Sequence, residues 1–440
     1  MENKVITRFA PSPTGLFHIG SVRSALYNYL YARQNNGKFI LRIEDTDKER
    51  SKKEFEDNIL ESFKWLGLSY DEFYRQSERG EIYKKYLKQL IDNGSAYISK
   101  EEPKEEGDRA EVIRFKNPNK KIKFNDLILG EIEFDTTDLK DFVIAKDLES
   151  PLYHLAVVVD DMEMGVTHVI RGQDHISNTP RQILIQEALG AKRPEYSHIP
   201  LILAADKSKL SKRHGAMSVL EYKDMGYFPE AIINFMALIG WNPGDEQEIF
   251  TLDELIKKFN LQKVQKSGGV FNVEKLDWIN KEYIKKLSSK ETEENILKWL
   301  PEDMQKNVLA PKLIPVIIER ISKWGDVTQM AEEGELHFFF KHEFYEVEKL
   351  IYKNLTQEQV SANITSAIKA LEEIKKEEFN KENVKTALMQ IADTLGSRGE
   401  LLHPVRFALS GRDRSPDPFI IAEILGKNET ILRLQKAVVQ

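Results

Sequence analysis

The 440-residue chain contains no cysteine. Disulfides, thiolate nucleophiles, iron–sulfur clusters and Cys-ligated zinc are thereby excluded. The absence fits a reducing, cytoplasmic setting. No run of about 18 apolar residues occurs, so no membrane span is expected. The first residues, Met1-Glu2-Asn3-Lys4-Val5, lack the apolar stretch of a secretory signal. No repeat of fixed length is found. Neither charge sign dominates: 64 Lys and Arg against 71 Asp and Glu give −7. That balance gives no sign of a nucleic-acid partner and excludes none, because such binding depends on a local basic face. What is present, 41% hydrophobic and 31% charged residues, is the composition of a folded globular chain. At roughly 100–200 residues per domain, the length suggests two to four domains, each able to bury a core unaided.

The first third reads as α/β. Val5–Ala10 is a strand candidate that runs into the Pro11-Ser12-Pro13-Thr14-Gly15 loop. Val22, Ala25, Leu26, Tyr29 and Leu30 form an apolar helical stripe, with Ser21 as the expected cap and Gly37 marking the end. Phe39–Glu44 reads as a second strand, so the three make a βαβ unit with a parallel sheet and right-handed crossover. Further strands are expected at Leu152–Val159, Thr167–Arg171 and His198–Ala204, with a helix at Thr179–Leu189. Between them, residues 76–151 read as an insertion. It contains the charge run Lys100–Glu106, expected to be a solvated loop, and a strand-like piece at Glu111–Phe115. From about residue 230 the periodicity is helical, as in Ile364, Ala367, Ile368 and Leu371, or Val384, Ala387, Leu388, Ile391 and Leu395 before Gly396.

Two strings carry chemistry. Pro11–Ser21 holds His18-Ile19-Gly20 between the first strand and the first helix. Open α/β sheets bind ligands at the carboxyl ends of their strands, and a helix N-terminus offers N–H groups to phosphate. Gly15 and Gly20 allow close approach of a ligand, and His18 can donate to a phosphoryl oxygen. Alone, His-Ile-Gly is more often a turn and a helix start; the full eleven-residue string at a strand–helix junction reverses that weighting. The second string, Lys207–Gly215, places four cations between Lys207 and Arg213 beside a glycine. Phosphoryl transfer needs cations on the charge that develops in the transition state, although a basic turn on its own is more often merely solvated.

Together the strings resemble the class I aminoacyl-tRNA synthetases: the first is similar to their "HIGH" element and Lys209-Leu210-Ser211-Lys212-Arg213 to their "KMSKS" loop. The surroundings resemble the bacterial-type glutamyl-tRNA synthetases specifically. They are Thr7–Gly15, Arg42-Ile43-Glu44-Asp45-Thr46-Asp47, Tyr153-His154-Leu155-Ala156 with Asp160-Asp161, Val169–His175, Gly240-Trp241, Lys275–Asn280 and Leu402–Leu409. The resemblance implies a Rossmann-like parallel-sheet catalytic domain (1–75 and 152–235) split by an α+β acceptor-end insertion (76–151). A helical stem-contact region (236–300) and an all-helical anticodon-binding region (301–440) would follow. It implies that Arg8, helped by Arg171, takes the side-chain carboxylate of L-glutamate. Arginine suits this role because its fork donates two parallel bonds. Ser12 would add a hydrogen bond, Glu44 would take the α-ammonium, and Tyr153 would line the pocket. His18, Gly20, Ser21, Asp174 and His175 would surround ATP, whose phosphates bring Mg²⁺. Lys209 and Lys212 would stabilise the α-phosphate transition state.

The implied activity is ATP-dependent charging of tRNA(Glu) through a glutamyl adenylate, with activation of glutamate dependent on bound tRNA. Charging of tRNA(Gln) as well is the open alternative. A monomer is expected. Arg398, Arg406, Arg412 and Arg414 give the C-terminal end local positive charge, though each can equally cap a helix or make a surface pair. Three departures from the pattern stand out. Ser21 replaces the last histidine of the first element. Val157 stands where some relatives carry asparagine. Ala96–Lys100 lacks the zinc-binding cysteines that follow a tyrosine in some relatives, so no structural zinc is expected. The competing readings are a non-catalytic tRNA-binding paralogue, a small nucleotidyltransferase, the glutamine enzyme and a truncated tRNA-modifying paralogue. The last three fit poorly with some 200 residues of helical chain.

Overall fold

A computed structural model of the chain describes residues 4–101, 111–208, 210, 217–342 and 344–439. It divides into two compact units, Met1–Tyr283 and Ile284–Gln440. The first begins as expected: β1 (Ile6–Phe9), α1 (Ile19–Gln34) and β2 (Lys38–Ile43), with β1 and β2 parallel and Arg8 opposite Ile40. Helix α2 (Lys53–Leu66) then leads to β3 (Glu72–Arg75), parallel to β2. Strand β2 is buried on both faces. Phe39 and Leu41 join one apolar cluster and Ile40 the other, as the two-residue period of a strand requires.

After α3 (Gly80–Asp92) come β4 (Ala96–Lys100), β5 (Glu111–Phe115), β6 (Lys121–Asp126), β7 (Gly130–Asp135), β8 (Phe142–Asp147) and β9 (Ser150–Pro151). Strands β4, β5, β8 and β9 form an antiparallel sheet, and β6 and β7 an antiparallel hairpin. Helix α4 (Tyr153–Glu163), β10 (His168–Gly172), α5 (Thr179–Leu189) and β11 (Glu195–Ile199) complete the α/β core. Strand β10 is parallel to β11, and β11 to β6, so the hairpin extends that sheet. The unit closes with β12 (Ile202–Leu203), α6 (Val219–Asp224), α7 (Pro229–Leu238), α8 (Leu252–Lys258), β13 (Gly269–Val270) and α9 (Val273–Ile284).

Several expectations need correction. Leu152–Val159 is not a strand; it opens helix α4. Its apolar stretch Leu155–Val159 is compatible with a buried strand or a buried helix, and periodicity cannot separate them. Ser21 does not cap α1. The helix starts at Ile19, with His18 in the cap position and no side-chain capping bond. Gly37 does not end it either: the helix stops at Gln34, and Asn36 takes the left-handed turn at φ 50°. The glycine serves a close approach, since a Cβ there would lie 2.2 Å from the Val5 carbonyl oxygen. His198–Ala204 is two short strands separated at Pro200, the second pairing with β13 rather than β11. Within the charge run, residues 102–106 lie outside the described residues.

The described part of the second unit is helical. Its main elements are α10 (Ser289–Trp299), α11 (Glu302–Gln305), α12 (Ile314–Arg320), α13 (Gly325–Glu332), α14 (His337–Phe340), α15 (Gln357–Glu372), α16 (Lys381–Ala392), α17 (Gly399–Ser410) and α18 (Pro418–Val439). The last breaks at Gly426, φ 77°. The buried Arg433 donates to the Leu409 carbonyl at 2.8 Å and the Phe338 carbonyl at 2.6 Å, closing two helix C-termini. Three of the four arginines noted in the sequence have internal work. Arg398 pairs with Asp393 at 2.7 Å, Arg406 donates to Ser415 Oγ at 2.8 Å, and Arg412 reaches the Glu333 carbonyl at 3.3 Å. Arg414 is exposed and makes no hydrogen bond to the described residues.

Replacing Gly37 by alanine should force β1 away from β2 and cost about 1–3 kcal/mol, the usual range for overpacking. Thermal unfolding followed by circular dichroism reads this as a lowered transition; an unchanged melt would contradict the close approach.

Candidate active site

Strands β1 and β10 lie side by side but diverge. The Thr167 N–H donates to the Ile6 carbonyl at 2.9 Å and the Ile6 N–H to Thr167 Oγ1 at 2.8 Å, at the amino ends of the strands. Further along, the fully buried Asn28 of α1 bridges them. Its Nδ2 donates to the Ile170 carbonyl at 2.8 Å, and its own carbonyl accepts from Thr7 Oγ1 at 2.9 Å. The carboxyl ends thus open into a cavity of about 710 Å³. This is the place where a parallel sheet changes direction and binds ligands. Arg8, Ser12, His18, Gly20, Ser21, Glu44, Tyr153, Arg171, Asp174 and His175 all line it. These are all the expected glutamate- and ATP-site residues except Lys209 and Lys212, which lie outside the described residues.

One side of the cavity rests on a buried charge cluster. Arg42, with 0% exposed side chain, donates to Asp161 at 2.7 Å and Glu44 at 3.1 Å, and its Nε lies 3.6 Å from Asp160. Burial alone would lower its pKa; Asp161, Glu44 and Asp160 outweigh that and hold it above its ordinary value. Asp160 also accepts from Arg79 Nε at 2.6 Å and from Gln76 and Tyr83, each at 2.9 Å. Asp161 in turn takes Arg8 through Nε at 3.2 Å. Burial would raise the Asp161 carboxyl, but Arg8 and Arg42 hold it below the usual range. Arg8 is therefore gripped by its Nε alone, and its two terminal nitrogens make no hydrogen bond to the described residues. Glu44 uses one oxygen on Arg42; burial raises its carboxyl, with Arg42 and Arg8 offsetting only part.

Arg171 stands differently. It is 7% exposed, and its partners are all neutral: His198 Nε2 at 3.2 Å, Gln182 Oε1 at 2.8 Å and Thr179 Oγ1 at 2.8 Å. Burial lowers its pKa from the ordinary value, and the nearby Arg8 adds to that. A guanidinium remains charged through such a shift. Tyr153, at the start of α4, has its hydroxyl 3.3 Å from His175 Nδ1, and burial raises its pKa. Val157 is buried and does not line the cavity.

The start of α1 lines the same cavity. A Cβ at Gly20 would meet nothing within 4 Å, leaving space at the uncapped start of α1. His18 Nδ1 is buried with no hydrogen-bond partner among the described residues. The backbone on either side of His18 is tied to the chain that follows the basic loop. Ile19 N–H donates to the Met217 carbonyl at 3.1 Å, and Val219 N–H to the Phe17 carbonyl at 2.9 Å. Leu210, within the basic string, also lines the cavity. The first string and Leu210 of the second therefore meet at one cavity. Gly172 leaves room for the Asp174 carboxylate as it stands, since a Cβ would lie 2.4 Å from Asp174 Oδ1 and that side chain would have to turn aside. Among the described residues, no group of three or more His, Asp or Glu is placed to hold a metal ion. No described helix is long and apolar enough to cross a membrane.

The cluster of Arg42, Asp160 and Asp161, and the grip of Asp161 on Arg8, were not assigned from the sequence, where these residues stood out only as part of the family resemblance and as charges within apolar runs.

A family model described as the catalytic domain of class I tRNA synthetases (E and Q) matches residues 4–107 and 99–278, and one described as an anticodon binding domain matches 271–438. Glutamate–tRNA ligase 2 of Thermoanaerobacter pseudethanolicus is 41% identical, covering 99% of this chain and 98% of its own. The glutamate–tRNA ligase of Aquifex aeolicus is 40% identical over 98% of each. Among solved structures, a glutamate–tRNA ligase of Elizabethkingia meningosepticum in complex with its amino acid superposes with a TM-score of 0.85. It is 32% identical over 99% of both chains.

The His154 ring beside the cavity is pushed down to about 4, by burial first and then by Arg181, Arg171 and His175. Its folded value lies below the unfolded one, so the unfolded chain binds the extra proton. Stability is present above about pH 6.5 and is lost as pH falls toward 4. Between pH 7 and pH 5 this histidine should remove about 2 kcal/mol. Urea unfolding of His154→Gln should show a correspondingly smaller difference between the two pH values; an unaltered difference would contradict the assignment.

Proposed function

The chain belongs to the class I tRNA synthetases for glutamate and glutamine and is a ligase of the glutamate type. From that premise we propose that its cavity makes a glutamyl adenylate and passes the glutamyl group to tRNA(Glu). The observation that carries the reading is the pair of guanidiniums in the cavity wall. Arg8 has an unoccupied fork, and Arg171 has neutral partners only, so an acidic side chain supplies the counter-charge that the protein withholds. Glu44, with one oxygen free of bonds to the described residues, suits the substrate ammonium.

In the first step the α-carboxylate of glutamate attacks the α-phosphorus of ATP in line, and pyrophosphate leaves. In the second a terminal ribose hydroxyl of the tRNA attacks the acyl carbon, and AMP leaves. No side-chain nucleophile is needed, so positioning and charge stabilisation carry the rate. ATP enters with Mg²⁺ on its phosphates. His18, Gly20, Ser21, Asp174 and His175 surround the nucleotide, while Lys209 and Lys212 stabilise the α-phosphate as it reacts. Residues 76–151 meet the acceptor end, 236–300 the stem and 301–440 the anticodon. The enzyme works as a cytoplasmic monomer and needs bound tRNA to activate glutamate.

Charging of purified tRNA(Glu) and tRNA(Gln) with labelled glutamate tests the reading: tRNA(Glu) should be charged, and failure to charge either would overturn it. Product on tRNA(Gln) would identify the enzyme as non-discriminating. Lys212→Ala should lower kcat about 10²–10³-fold, the effect of deleting one transition-state donor, while glutamate KM changes little. Steady-state aminoacylation with an unchanged kcat would remove Lys212 from the transition state.

A further inference from the structure

Behind Arg171 lies a second buried chain of hydrogen bonds. Asp126, the last residue of β6, is 1% exposed and His198 of β11 is 0% exposed. Asp126 Oδ2 accepts from the His198 backbone N–H at 3.0 Å and from His198 Nδ1 at 2.7 Å. Its Oδ1 accepts from the N–H groups of Ile128 and Leu129, each at 2.9 Å. With Nδ1 donating to the carboxylate, Nε2 carries the lone pair, and it faces Arg171 Nε at 3.2 Å and Thr179 Oγ1 at 3.1 Å. The tautomer thus follows from the carboxylate. Reversing it would set an N–H against the N–H of Arg171.

We propose that Asp126 and His198 are positioning residues for the glutamate pocket: the carboxylate fixes the imidazole tautomer, and the imidazole holds the Arg171 guanidinium in place for the substrate's side-chain carboxylate. This rests on the reading that Arg171 serves that carboxylate. Asp126 belongs to the segment that interrupts the α/β core, so the insertion contributes a residue to the amino-acid site. Its influence reaches the substrate through one ring and one guanidinium without direct contact.

Three substitutions in the full-length enzyme test the chain, with glutamate and ATP KM measured in tRNA-dependent aminoacylation. His198→Asn keeps a donor to Asp126 and loses the acceptor for Arg171. His198→Gln can present an amide oxygen near the Nε2 position and restore that acceptor. Asp126→Asn puts a donor against His198 Nδ1 and drives the ring proton to Nε2. His198→Asn and Asp126→Asn should each raise glutamate KM about tenfold or more, as expected for one buried charge-assisted bond. ATP KM should stay within about twofold, and His198→Gln should lie closer to the parent enzyme. A purely structural role would move both constants together and give no such ordering of the two His198 variants. The proposal is overturned if glutamate KM is unchanged, if both KM values shift alike, or if neither His198→Asn nor Asp126→Asn folds by circular dichroism. Arg171→Lys separates the two levels. A raised glutamate KM there with none in His198→Asn rejects only this proposal, whereas an unchanged glutamate KM in Arg171→Lys rejects the reading of the pocket beneath it.

Discussion

A guanidinium held away from water at the middle of a sheet stays charged, and the cost of its burial must be offset by carboxylates. Arg42 imposes that requirement on the catalytic unit. Its side chain projects from β2 into a fully enclosed site, and Asp160, Asp161 and Glu44 surround it. Removing one member of such a set leaves a buried charge uncompensated and typically costs about 3–5 kcal/mol. The cluster therefore fixes the distance between β2 and α4, and α4 carries Tyr153 to the cavity. The same carboxylates recruit Arg8 and Arg79 from two further elements. A need of the core and a need of the site are thus met by one set of contacts.

The division of labour within the set gives the pocket its polarity. Asp161 spends its charge on Arg42 and on the Nε of Arg8, which leaves the Arg8 fork unoccupied. Arg171 is steadied by neutral groups, with Asp126 one imidazole away. Cations held with incomplete direct compensation prefer an acidic ligand, and the desolvated wall strengthens that preference. In the same cavity, an uncapped helix start, an open glycine position and a buried histidine nitrogen without a partner favour phosphate. One cavity thus holds cations suited to a carboxylate and a helix start suited to a phosphate, the two features on which the proposed joining of an amino acid to a nucleotide rests.

Legibility in the sequence followed locality. Helix α5 was readable to its ends because Pro180 sits at its start and Gly190, at φ 67°, terminates it. Strand β5 was found where its apolar alternation placed it. The His18 and Gly20 element was recognisable because its residues are adjacent. Helix α4 was misread because Leu155–Val159 is a buried apolar stretch too short to reveal its period. The contacts that organise the site were harder still: Arg42 and Asp161 are 119 positions apart, and Asp126 and His198 are 72 apart. No spacing rule links such pairs. The cap of α1 was misplaced because Ser21, a favoured capping residue, outweighed His18.

The central claim is that Asp161 orients Arg8 so that its free fork, rather than its charge alone, selects the acidic side chain. The most direct measurement is glutamate KM in tRNA-dependent aminoacylation by Arg8→Lys, which keeps the cation and removes the fork. The account predicts a rise of about tenfold to a hundredfold in glutamate KM at an unchanged ATP KM, the loss of one bidentate charge-assisted pair. An unchanged glutamate KM would contradict it.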